Sequence, residues 1–149
     1  MVTHLNRSAL LPYSVMEVFE IVNDIERYPE FLPWCASVDV LDRSENSLVA
    51  RMALKSRSVS QRFTTRNSID PGRKIVLSLV EGPFSQFEAV WKFAGIGDAA
   101  GCRVELDMKF AFTGARALLA RSFSRVFTAA ADTMVDAFCE RAHALCGGK

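Results

Sequence analysis

Two histidines, His4 and His143, lie near opposite ends of the chain, and the four cysteines, Cys35, Cys102, Cys139 and Cys146, include no CxxC pair. A zinc site or a redox dithiol would need such groups at short, fixed spacings, so the thiols read as reduced, buried or idle. Acid–base chemistry is no better provided for. Glu105 and Asp107 alternate onto the polar side of a strand pattern, where water solvates them, and His143 falls near the end of a helical stretch, where the helix dipole favours it. No GxGxxG follows a strand, and neither a P-loop nor GxSxG occurs. Nothing assembles a nucleophile, a base and an orienting group, so the expectation is a protein that is not an enzyme and has no catalytic cofactor.

Two other kinds of chemistry are present. The first is cationic: within a net charge of +1, acids outnumber bases over residues 1–50, whereas residues 51–74 carry Arg51, Lys55, Arg57, Arg62, Arg66, Arg73 and Lys74 against Asp70 alone. Such a run suits phosphate contacts or, more simply, a solvated sheet face. The second is apolar. Residues 28–35, Tyr-Pro-Glu-Phe-Leu-Pro-Trp-Cys, hold four large apolar side chains on a segment whose prolines bar it from a regular helix or a central strand. Irregular backbone this apolar must lean on a core, rim a cavity or meet a partner.

The elements that position these groups follow from periodicity. The chain has 149 residues, half of them hydrophobic, which fits one domain over residues 1–149. No apolar run approaches the roughly 18 residues of a membrane span, and the first residues lack a signal peptide's pattern, so a soluble, cytoplasmic protein is expected. A short strand over residues 6–13 closes at Pro12. Ser14 then caps a helix over residues 15–24, with Glu17 completing a capping box. After Cys35 the period turns to two: residues 48–55, 59–66, 75–79, 87–93 and 104–112 alternate as half-buried strands, broken at Asp70-Pro71-Gly72 and Glu81-Gly82-Pro83. Gly114 ends the series. From Ala115 almost to Gly147, Phe123, Val126, Phe127, Ala130, Met134, Val135, Phe138, Ala142 and Leu145 recur at three and four, predicting a helix of about thirty residues and over about 40 Å.

The fold class is therefore α+β: a curved antiparallel sheet wrapped around one long C-terminal helix, with the early helix closing an edge. Large rings line both layers, and alanines punctuate the helix, so the layers touch in some places and can stand apart in others. Residue types alone leave a filled core and a ligand-holding cavity both open.

The order of Asp24-Ile25-Glu26-Arg27, Tyr28-Pro29-Glu30-Phe31-Leu32-Pro33-Trp34-Cys35, Leu79-Val80-Glu81-Gly82-Pro83-Phe84, Trp91-Lys92-Phe93 and Phe138-Cys139-Glu140-Arg141-Ala142 resembles the coenzyme Q-binding and ribosome association toxin family of the START-like (polyketide cyclase/dehydrase and lipid transport) superfamily, over essentially the whole chain. The resemblance implies a helix-grip fold with an apolar tunnel between sheet and helix. It implies non-catalytic binding of ubiquinone or a similar isoprenoid lipid, supporting respiration or quinone biosynthesis. The alternative it implies is a toxin-type regulator that binds the large ribosomal subunit and hinders association with the small one. An enzyme acting on a polyketide-like substrate is a third reading, for which no motif places an acid or base.

Carried onto this chain, the tunnel would be lined by Phe63, Leu77, Leu79, Phe87, Trp91, Phe110, Phe112, Phe123, Phe127 and Met134, with Phe31, Leu32, Trp34 and, from Gly82-Pro83-Phe84, Phe84 at its rim. Thr65, Gln61 and Asn67 share a face with Phe63 and are the candidates for hydrogen bonds to a head group. Arg57, Arg62 and Arg66 are the candidate ribosome contacts. The expected partners are a hydrophobic small molecule, the large ribosomal subunit and, transiently, a membrane, with no DNA and no metal.

Overall fold

The computed structural model describes residues 2–56, 60–97, 101–112 and 118–147. Strand β1 (Thr3–Leu11) leads to Ser14, whose hydroxyl accepts the Glu17 N–H at 3.2 Å while the Glu17 carboxylate accepts the Ser14 N–H at 3.2 Å. That reciprocal box starts helix α1 (Val15–Asn23), which turns Val18, Phe19 and Val22 inward. A 3₁₀ helix (Ile25–Glu30) follows and contains Pro29, so the proline-framed segment is more regular than its sequence suggests. A short 3₁₀ turn forfeits only the one N–H that proline lacks.

The remaining strands are β2 (Cys35–Ser44), β3 (Ser47–Lys55), β4 (Ser60–Asp70), β5 (Lys74–Glu81), β6 (Phe84–Ile96) and β7 (Gly101–Phe112), and helix α2 (Leu118–Cys146) ends the fold. They form one seven-stranded sheet in the order β1-β7-β6-β5-β4-β3-β2, every pair antiparallel. The segment holding α1 and the 3₁₀ helix thus carries the chain from one edge of the sheet to the other. Edge strand β2 is irregular, with register shifts at Cys35/Ser37 and Val40/Asp42. Between β4 and β5, Gly72 takes φ +74°, the left-handed geometry that the Asp70-Pro71-Gly72 turn requires.

Helix α2 has 29 residues, about 43 Å at 1.5 Å per residue, and lies against α1, β1 and β7. Its stripe of Phe123, Phe127, Ala130, Val135, Phe138 and Ala142 is buried as the spacing predicts. Leu145 departs from it: 50% exposed in the last turn, it borders a groove with Glu17, Glu20 and Ile21 of α1. Thr64, expected outward beside Arg62, is buried instead, because it is a short side chain directly cross-strand from the longer Arg51 and Glu81. The readings that fall on Arg57, Val59, Gly114, Ala115 and Ala117 lie outside the described residues.

Candidate functional site

The inward face of the sheet is divided into a filled part and an open part. Near the start of α2, Phe84, Phe110, Phe112, Phe123 and Phe127 interlock, with ring centroids 5.3 Å apart for Phe84–Phe112, 5.0 Å for Phe110–Phe127 and 5.6 Å for Phe112–Phe123. The edge-on pairs, Phe110–Phe127 and Phe112–Phe123, and the stacked Phe84–Phe112 pair gain beyond simple area burial and fill space between β7 and this stretch of the helix. Farther along α2, Ala130 and Ala131 face Ala50 of β3 and Ala89 of β6. Small side chains on both layers cannot meet, and a cavity of about 60 Å³ remains. Phe63, Thr65 and Asn67 of β4, Ile75 and Leu77 of β5, Phe87 and Trp91 of β6, Met108 of β7, and Phe127 and Met134 of α2 complete its wall. Val22, Asn23, Ile25, Tyr28 and Trp34 close it from the α1 side.

Of the expected lining, Trp34, Phe63, Leu77, Phe87, Trp91, Phe127 and Met134 reach the cavity. Phe84, Phe110, Phe112 and Phe123 belong to the aromatic cluster, and Leu32 is a core residue at 1% exposure. Leu79 is partly buried beside Gly82. Phe31 turns to the other side of the 3₁₀ helix, edge-on to Phe138 at 5.3 Å with the Arg141 guanidinium 4.9 Å over its ring. Trp34, of the first expected rim segment, is at the cavity, and Gly82 and Pro83, of the second, line a groove that shares Phe63 with it. The sequence signal for Ala50, Ala89, Ala130 and Ala131 was their size, which becomes informative only when the fold brings all four to the wall of one cavity.

Among the described residues no carboxylate or imidazole lines the cavity, and its polar atoms are few. The Tyr28 hydroxyl donates to the Val22 carbonyl, and burial, ahead of the nearby Cys35 and Asp24, pushes its pKa up and keeps the phenol protonated. Burial likewise pushes the Cys35 thiol up to about 11. The Thr65 hydroxyl donates to Asn67 Oδ1 at 2.8 Å, both side chains being buried. Gln61, the third expected head-group contact, lies instead in the groove with Gly82 and Pro83. Among the described residues no group of His, Cys, Asp and Glu is placed to hold a metal, and no helix is long and apolar enough to cross a membrane.

Arg7, Arg27, Arg43, Arg73, Arg103 and Arg141 are each paired with a carboxylate. Arg51, Arg62 and Arg66 form no ion pair among the described residues, although Asp39 is directly cross-strand from Arg51. They sit on the adjacent strands β3 and β4, and Arg51 and Arg62 flank a groove of about 510 Å³ with Thr64, Glu81 and Pro83. Arg57 lies outside the described residues.

Residues 11–139 match the family described as polyketide cyclase / dehydrase and lipid transport. The chain is 48% identical over 147 residues, covering 99% of it and all of the relative, to the ribosome association toxin RatA of Pseudomonas aeruginosa. It is 27% identical over 125 residues, 82% of this chain and 50% of the relative, to the mitochondrial coenzyme Q-binding protein COQ10 homolog B of Xenopus laevis. Among solved structures, the ZhuI aromatase/cyclase from Streptomyces sp. R1128 superimposes with a TM-score of 0.81 at 18% identity, covering 96% of this chain and 94% of that one, a likeness of fold.

Proposed function

The chain belongs to the polyketide cyclase / dehydrase and lipid transport family, and we propose that this member is a ribosome-binding regulator that hinders association of the ribosomal subunits. The observation that carries the proposal is the set of outward arginines, Arg51, Arg62 and Arg66, on a chain similar end to end to a ribosome association toxin. An arginine already paired with a carboxylate has little charge to offer; an unpaired one can take two phosphate oxygens at once. Three of them on neighbouring strands suit the closely spaced phosphates of folded RNA, which makes the large subunit the expected partner and the cytoplasm the expected place. The test is cosedimentation with separated ribosomal subunits at low and moderate salt. Binding to the large subunit that weakens steeply with salt is expected, and its absence at both salts overturns the proposal.

A second reading is supported by the cavity and by the COQ10-named relative: an apolar ligand, ubiquinone or a similar isoprenoid lipid, bound without catalysis. At about 60 Å³ the cavity is smaller than the ~150 Å³ that admits benzene, so even a quinone ring requires wall side chains to move. Trp34, Met52, Leu77 and Met134 are the partly exposed wall residues, and the unbranched methionines yield most easily. Mass spectrometry of lipid extracted from the purified protein, with uptake of a short-tailed ubiquinone analogue, tests this reading; empty protein that takes up none overturns it. The two readings use opposite faces of the sheet and are compatible.

A further inference from the structure

We propose that Asn67, oriented by Thr65, is the polar anchor of the cavity and makes it favour ligands that present a hydrogen-bond acceptor, a carbonyl or ether oxygen. This deepens the second reading above and rests on it. Asn67 is 4% exposed and its side chain lines the cavity. Its oxygen is occupied by the Thr65 hydroxyl at 2.8 Å, while its amide nitrogen, with two N–H donors, has no protein partner among the described residues. Among the described residues no buried side-chain nitrogen or oxygen is both fully occluded and unpaired, so that nitrogen borders open space, and the space beside Asn67 is the cavity.

The orientation of the amide follows from the accounting of donors. In this orientation Thr65 gives its only proton to Asn67 and the donors left over are both on Nδ2. With the amide reversed, the Thr65 proton, the Asn67 oxygen and one amide proton would all be left over, which is worse in an apolar enclosure. The other polar groups of the wall fit the same class. The Tyr28 hydroxyl is spent on Val22, and Trp91, 3% exposed, has only an indole N–H and therefore donates. Asn23, at the partly exposed side of the wall, is within reach of water. A ligand carbonyl or ether oxygen would satisfy the free donors of Asn67 and Trp91, which an apolar group of the same shape would leave unpaired. The class matches a quinone carbonyl and equally a ketone or ether of any small apolar molecule.

The experiment compares two isosteres, cyclopentanone and methylenecyclopentane, titrated into the ¹⁵N-labelled protein while the Asn67 side-chain amide and the Trp91 indole resonances are followed. Wild-type protein is expected to bind the ketone about fivefold to tenfold more tightly, the worth of one buried hydrogen bond, with a downfield shift of one Asn67 amide proton. Asn67→Leu is expected to erase the preference, and Thr65→Val, which frees the amide to rotate, to reduce it. Equal binding of the two probes to the wild-type protein, or a preference that survives Asn67→Leu, overturns the assignment and leaves the cavity reading intact. Failure of both probes to bind overturns the assignment and the cavity reading together. The wild-type comparison decides the matter even if either variant fails to fold.

Discussion

Replacing Ala89 by valine places two more carbon atoms at a position that is 0% exposed and lines the cavity between β6 and α2. The sign of the effect depends on whether that space is real. If it is, removing about 60 Å³ of void at about 24 cal/mol per Å³ is worth about 1.4 kcal/mol. Burying two carbons at about 0.8 kcal/mol each gives nearly the same figure by an independent route. Valine also suits a strand, so no backbone penalty opposes it. For a domain of this size the expected rise in Tm is about 3–6 °C, with a matching increase in the urea midpoint at unchanged m-value. Cyclopentanone should at the same time lose its binding. A destabilisation of about 1–3 kcal/mol, the usual result of overpacking, would refute the reasoning by showing that the layers already touch at Ala89.

Combined Arg51→Ala, Arg62→Ala and Arg66→Ala should strongly weaken cosedimentation with the large subunit and lower the salt slope of the remaining binding by about 2–3, yet leave thermal stability within about 0.5 kcal/mol, because none of the three makes an ion pair among the described residues. Gly82→Ala should destabilise by about 1–3 kcal/mol in urea unfolding, since the new Cβ would stand 2.7 Å from the Phe63 Cβ, an atom that cannot swing aside. Burial raises the Cys35 thiol to about 11, so the folded chain favours the protonated form. Its contribution to stability should be complete below about pH 8.5 and lost as the pH climbs toward 11, and Cys35→Ala, followed by urea midpoints across that range, should flatten this part of the profile.

Local grammar was legible in the residues themselves. Ser14 and Glu17 specify their box within three positions, the alternation of residues 104–112 makes β7 half-buried, and the spacing of Phe123 to Ala142 orients α2. What depends on register was not. Phe84, Phe110, Phe112 and Phe123 carry the same apolar signal as Phe63 and Trp91, and only the pairing of strands and the seating of α2 on them send one set into a closed cluster and the other to a void. The same limit applies to charge. Arg7 finds Asp132 and Arg141 finds Glu30 across more than a hundred residues, so the arginines left without a carboxylate emerge only after the chain has folded.

The irregular edge strand β2 bears on how the protein can be recognised. An open edge ordinarily offers evenly spaced N–H and C=O groups onto which a foreign strand can zip, but the shifts at Cys35/Ser37 and Val40/Asp42 interrupt that ladder, and Asp39, Asp42 and Arg43 place charge along it. At the opposite edge Arg7 of β1 is tied to Asp132 of α2. Strand addition, with the aggregation that follows from it, is disfavoured on both sides, so a partner must read this molecule through its side chains and not by extending its sheet.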